Sequence, residues 1–231
     1  MNGQRFRMRR LEYLAFNLAV AAVPAAGCLL FPGGVFPAFL PALVAILLPG
    51  LAFIIWDQLV TGYFWWFNET YVTGLRVFRL PVEEVMFFFT VPFASLVLWV
   101  NLRSVAGTGP GLFHWLHLLV PSLFLATAAL FLLVKRYYTF MACLFWSLSL
   151  FADSFAGTNL FCMPSFQWFL AALFILTFAF NGYLTGRPVI LYNNAVKTNF
   201  NIWTIPVESF LYGFSLVLLV CILYERLKNV L

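Results

Sequence analysis

FNETYVTGLRVFRLPVEE (residues 67–84) and YNNAVKTNFNIWTIPVES (residues 192–209) are two versions of one pattern. Moving the first 125 residues along the chain lays it on the second without a gap. Asn68 falls on Asn193, Thr73 on Thr198, and Pro81-Val82-Glu83 on Pro206-Val207-Glu208. Phe67 with Tyr192 and Val77 with Ile202 are similar pairs. Five identities in one ungapped block, three of them consecutive, indicate an internal duplication. Upstream, Thr61-Gly62 nearly meets Thr185-Gly186, with one residue of slack.

Each block runs into a long apolar segment, and the whole chain is of that character. Of its 231 residues, 64% are hydrophobic and 9% charged, too little polar material to coat a soluble domain of this size. It reads as an all-α integral membrane protein, with little mass outside the bilayer. A span needs about 20 apolar residues. Seven can be drawn, at 11–31, 38–56, 81–100, 112–133, 137–152, 165–183 and 205–224, the fifth being the shortest. The repeat shift covers four helices. Spans 1–3 and 5–7 therefore form two parallel three-helix repeats joined by a connector helix, with expected units 1–110, 111–134 and 135–231. Repeats of this kind place a site between the halves.

Charge sets the orientation. With the N-terminus inside, inside segments hold Arg5, Arg7, Arg9, Arg10, Arg76, Arg79, Lys135, Arg136, Arg187 and Lys197, and the outside holds Arg103, Arg226 and Lys228. Ten against three places the N-terminus in the cytoplasm and the C-terminus outside, across the cytoplasmic membrane. The basic leader followed by small residues at 21–27 resembles a signal peptide, but its apolar run is longer than a usual signal core, so it reads as a retained helix. The net charge of +5 is spread over several loops, which excludes a nucleic-acid footprint. Cys28, Cys143, Cys162 and Cys221 share no ligand spacing and read as packing residues. His114 and His117 share a helix face but lack further metal ligands.

Both Pro-Val-Glu motifs start a helix on the same side. The plain reading is a good helix start: proline suits the first position and acids the first turn. Three features favour more. The motif recurs in both halves, it takes three of the eight acids in the chain, and acids in membrane spans line cavities or pathways. Glu83, Glu84 and Glu208 are therefore the candidate catalytic residues, able to face one another across a pseudo-two-fold axis. Asp57 and Asn181 end spans two and six, as interfacial caps or as walls of the same site. Asn68 and Asn193 sit in the loops, in a structural or site-lining role. Glu69, Asp153 and Glu225 read as solvated, and Glu12 is left open. Arg76 and Arg79 read as topology signals that could also pair with the acids. Among 29 Phe, 9 Tyr and 8 Trp, Tyr63, Trp65, Trp66, Phe67 and Tyr71 cluster in one loop, and Phe87, Phe88 and Phe89 follow the acids. Aromatic faces beside carboxylates suit a long apolar molecule and a transient cation.

The order Trp56-Asp57, Phe67-Asn68, Thr73-Gly74, Pro81-Val82-Glu83-Glu84, Phe87-Phe88 and Pro92 resembles the lycopene cyclase domain, the small membrane carotenoid cyclases of bacteria, archaea and fungi. Asn181-Gly182-Tyr183, Tyr192-Asn193 and Ile205-Pro206-Val207-Glu208 look like the partner domain, fused here in one chain. The resemblance covers about 50–225. Two positions depart from it: Ser209 stands where a second acid is expected, and Asn199 is the counterpart of Gly74.

The resemblance implies a non-redox carotenoid cyclase that closes end rings of lycopene, giving gamma- or beta-carotene. The substrate carries no charge and no leaving group, so ring closure begins by protonating a terminal double bond. The cation then attacks an internal alkene, and loss of a proton ends an isomerisation. This needs an acid, a base and a dry cavity that tolerates positive charge. Glu83, Glu84 and Glu208 take the catalytic role, and Asp57, Asn68, Tyr71, Phe87, Asn181 and Asn193 the substrate-binding one, with no metal. Partners would be the carotenoid, the lipid bilayer and other carotenoid-pathway enzymes. With no GxGxxG, no flavin or nicotinamide fold is expected, and no cofactor.

A carotenoid hydratase, which also protonates an alkene, and a lipid or small-molecule transporter are the alternatives. A retinal-binding rhodopsin needs a lysine inside the last span, and there is none. A prenyltransferase needs paired aspartate-rich motifs, whereas Asp57 and Asp153 are isolated.

Overall fold

The computed structural model describes residues 9–106 and 116–231. Arg5, Arg7, His114 and residues 112–115 of the expected fourth span lie outside them. Seven main helices follow in order: α1 (Glu12–Leu30), α2 (Phe39–Val60), α3 (Val82–Ala106), α4 (Leu119–Leu133), α5 (Tyr137–Phe155), α6 (Pro164–Gly186) and α7 (Val207–Leu227). All but α4 are long and apolar enough to cross a membrane. The fifth helix, expected to be the shortest, has 19 residues, and the shortest described is α4 with 15. Pro24, Pro49 and Pro92 lie inside α1, α2 and α3, as membrane helices tolerate when neighbours compensate.

The duplication runs through the whole architecture. Helices α1, α2 and α3 start at Glu12, Phe39 and Val82, and α5, α6 and α7 start at Tyr137, Pro164 and Val207, each 125 residues later. The strands between them repeat with the same offset: β1 (Trp65–Phe67), β2 (Arg76–Val77) and β3 (Leu80–Pro81) return as β4 (Ile190–Tyr192), β5 (Asn201–Ile202) and β6 (Ile205–Pro206). The slack expected upstream is absent. Asp57 therefore corresponds to Gly182, and Asn181 to Trp56.

Strands β1 and β4 pair antiparallel, with Trp66 opposite Leu191. These two are counterparts in the repeat, so the pseudo-two-fold axis passes between them. The flanking bonds obey the same symmetry: Asn68 N–H donates to Val189 O at 2.9 Å, and Asn193 N–H to Phe64 O at 2.8 Å. The two loops thus cover one end of the bundle, and both halves run parallel. Two hairpins complete this cover, β2 with β3 and β5 with β6. Their turns place Phe78 (φ 54°) and Trp203 (φ 59°) in the left-handed region, an uncommon conformation for a bulky residue.

Helices α3 and α7 sit at the centre. Helix α3 packs on α1, α2 and α6, α7 packs on α5 and α2, and the two central helices meet each other. Contact between α2 and α3 is close because position 50 is glycine: a Cβ there would lie 2.9 Å from Phe88 O. At the end away from the loops, Glu225 accepts from Trp99 Nε1 at 3.0 Å and pairs with Arg103 and Lys228. Asp153 accepts from Thr158 Oγ1, Leu160 N and Phe161 N. Both acids were expected in solvent, and both are buried. The turns and helix ends there expose N–H and cationic groups that need an acceptor away from water. Glu69 is exposed, as expected, and pairs with Arg76.

Candidate active site

Proline ends each short hairpin strand, at Pro81 and Pro206, and a helix begins at the next residue. This carries Glu83, Glu84 and Glu208 into the first turns of α3 and α7, at 0%, 6% and 0% exposure. Glu83 Oε1 accepts the Thr73 N–H at 2.7 Å, and Glu208 Oε1 accepts the Thr198 N–H at 2.8 Å. Each motif glutamate therefore latches its own loop to its helix start. Glu208 also accepts from Thr139 Oγ1 at 2.6 Å and Thr198 Oγ1 at 2.8 Å. The second oxygen of Glu83 and that of Glu208 have no hydrogen-bond partner among the described residues, and neither does Asp57 Oδ2. Such buried acceptors left open are rare and point to a role beyond packing.

Glu84 differs. It turns inward, and its Oε2 accepts the Tyr13 hydroxyl at 2.5 Å. Asn17 secures the same corner: its Nδ2 donates to Glu83 O at 2.9 Å, and its Oδ1 accepts from Thr90 at 2.8 Å. In the other half, Tyr138 is the counterpart of Tyr13 and Ser209 of Glu84. Their hydroxyls meet at 3.1 Å, and Ser209 donates to Tyr192 OH at 3.1 Å. The substitution of Ser209 for an acid thus keeps the pairing and removes the charge. Burial holds the Tyr192 phenol above its ordinary value, and the charges of Glu84, Asp57 and Glu208 push the same way.

Between the two halves lies a chamber of about 70 Å³, walled by Tyr13, Glu84, Phe87, Tyr138, Ser209 and Tyr212 among others. It adjoins an apolar channel of about 540 Å³ bounded by α1, α3, α6 and α7. Phe87, Asn181 and Gly213 line both. The channel follows α3 from Phe87 to Ser104, about 26 Å at 1.5 Å per residue. Glu84 is the buried carboxylate on the chamber wall.

The expected site residues separate into groups. Glu84, Phe87 and Asn181 line the cavities. Glu83, Glu208 and Asp57 are buried close behind. Tyr71 lines neither cavity and packs against the cluster of Tyr13, Val72, Leu184 and Val189. Asn68 and Asn193 shape turns, their Oδ1 atoms accepting from Thr70 N and Ala195 N at 3.0 Å. Arg76 pairs with Glu69 and with the Arg79 carbonyl, away from the motif acids. Sequence reasoning missed the hydroxyl groups of Tyr13, Tyr138, Tyr192 and Tyr212. The signal for two of them was present, because the offset that aligns the loops also sets Tyr13 on Tyr138.

No curated protein and no solved structure matches the chain. The family model described as lycopene cyclase matches residues 11–101 and 115–227, one stretch over each repeat. With both halves of the bundle inside that match, the chain belongs to the lycopene cyclase family and is a carotenoid cyclase built into the membrane.

Proposed function

We propose that the chain closes the end rings of lycopene, forming gamma- and then beta-carotene by proton-initiated cyclisation, an intramolecular lyase or isomerase reaction without redox change. The observation that carries this reading is the placement of Glu84 on an aromatic chamber that leads into a long apolar channel. A carboxyl on a chamber that excludes water can pass its proton to an alkene without loss to solvent. Tyr13 occupies Oε2 of Glu84, leaving Oε1 to carry the acid proton. Transfer of that proton to the terminal double bond gives a tertiary cation. The nearby internal alkene supplies the electron pair for the new carbon–carbon bond. Loss of a proton from the ring cation to the Glu84 carboxylate restores both the alkene and the acid, so atoms and charge balance.

Phe87, Trp65 and Tyr212 line the chamber, where aromatic rings suit a passing cation. Glu83 and Glu208 complete the carboxyl set, each with one oxygen that has no hydrogen-bond partner among the described residues. The loop end faces the cytoplasm in this reading, with the N-terminus inside and the C-terminus outside the cytoplasmic membrane. That side suits exchange with other carotenoid-pathway enzymes.

The test is pigment analysis of a lycopene-accumulating bacterial host expressing the chain or its Glu84→Gln variant. Ringed carotenes with the parent and none with the variant support the reading. A hydroxylated open-chain product identifies a hydratase, and unchanged lycopene with the protein present in the membrane overturns the proposal.

A further inference from the structure

The two halves repeat in backbone but not in free space. Around the open channel stand Val20, Asn181 and Gly213. Their counterparts 125 residues away are Phe145, Trp56 and Phe88. At three symmetric positions a small or polar residue on one side is thus a large aromatic on the other. These aromatics fill the counterpart space. Phe145 lies 5.5 Å from Phe53 and 5.3 Å from Trp56 between ring centroids, and Phe53 lies 5.0 Å from Tyr212. Phe88, 1% exposed, closes the packing from α3. The acid is as one-sided as the space, since Glu84 and its counterpart Ser209 both line the chamber beside the open channel and only Glu84 carries a carboxyl.

We infer that the chain holds one linear carotenoid at a time in a single channel, and that Phe145, Trp56 and Phe88 are specificity-determining residues that have closed the second. One end of the substrate is processed per encounter. A second ring requires the monocyclic product to leave and re-enter with its other end at Glu84. This rests on the cyclase reading above. The duplication supplied two equivalent grooves, and divergence kept one acid with one groove.

The test uses the full chain in phospholipid vesicles with excess lycopene, sampled from the first turnovers. Free monocyclic carotene is expected as the sole early ringed product, with bicyclic carotene following after a lag or never. The Glu84→Gln protein, purified from lycopene-loaded cells, is expected to carry one carotenoid per chain. Bicyclic product in constant ratio from the start, or two carotenoids per chain, overturns the single-channel inference and leaves the cyclase reading intact. Absence of any ring from folded protein overturns both. Replacing Val20 by Phe, which copies the filled side into the open one, is expected to lower ring formation at least tenfold with unchanged membrane insertion. Activity retained in this variant also overturns the inference.

Discussion

The Tyr13 hydroxyl donates to Glu84 Oε2 at 2.5 Å, joining residues 71 positions apart in the chain. Both are buried, and the bond engages one of the two oxygens of Glu84. Tyr138 and Ser209 hold the same relation in the other repeat without a carboxyl. The tyrosine-bonded carboxyl is thereby present in one half of the two-fold frame and replaced by a hydroxyl in the other.

Glu84→Gln keeps the shape of the side chain and removes the transferable proton. Ring formation is expected to fall by at least about 100-fold, the lower range of general-acid contributions. The melting temperature should stay close to that of the parent, because the amide oxygen still accepts from Tyr13. Carotene analysis beside thermal unfolding checks both parts.

Tyr13→Phe removes one hydrogen bond to the acid and little volume. A hydrogen bond to a charged group contributes about 1.5 kcal/mol, or roughly tenfold in rate. The expected loss is in kcat, with KM nearly constant, since Tyr13 orients the acid. A rise in KM with kcat unchanged would assign Tyr13 to substrate binding instead.

Glu83 and Glu208 combine a latch with an open oxygen. Glu83→Ala leaves the Thr73 N–H without its acceptor and is expected to lower stability by about 1–3 kcal/mol. Glu83→Gln keeps an acceptor, so it should unfold near the parent temperature while losing ring formation. The same pair of results is expected for Glu208 with Thr198. Full activity in both Gln variants would reduce these glutamates to loop anchors.

Gly50→Ala tests the helix contact beneath the site. The added Cβ would meet Phe88 O at 2.9 Å and the Phe89 ring at 3.1 Å, and backbone cannot give way as a flexible side chain can. Overpacking of this kind costs about 1–3 kcal/mol. Thermal unfolding should show it, with a shift of α2 away from α3.

Lys197 lies in the second loop, 3% exposed, with Nζ donating to Asn201 at 3.1 Å. Burial lowers its pKa, and Glu208 opposes that shift. The unfolded chain therefore binds this proton more tightly than the folded one. Stability should rise with pH between the lowered folded value and the ordinary value of about 10.4. Lys197→Met is expected to unfold at a higher temperature at neutral pH and to lose that part of the pH dependence. Melting curves of both proteins across the alkaline range check the sign.

What the sequence determined by itself was periodic or local. Hydropathy set the membrane class, because about 20 apolar residues make a span whatever their neighbours do. The 125-residue repeat set two parallel halves and brought both Pro-Val-Glu motifs to one end of the bundle. The helix starts followed from proline and acids in the first turn. Tertiary structure alone decided the rest, since it depends on side chains distant in sequence. Asp153 and Glu225 look like loop acids until the N–H and cationic groups that enclose them are in place. Glu83 and Glu84 are adjacent in the chain, yet successive helix positions point about 100° apart, so one holds the loop and the other faces the chamber. The open and filled sides of the bundle differ by residues such as Val20 and Phe145, each unremarkable in an apolar span. Their difference becomes a channel on one side and a packed core on the other only when the helices around them close.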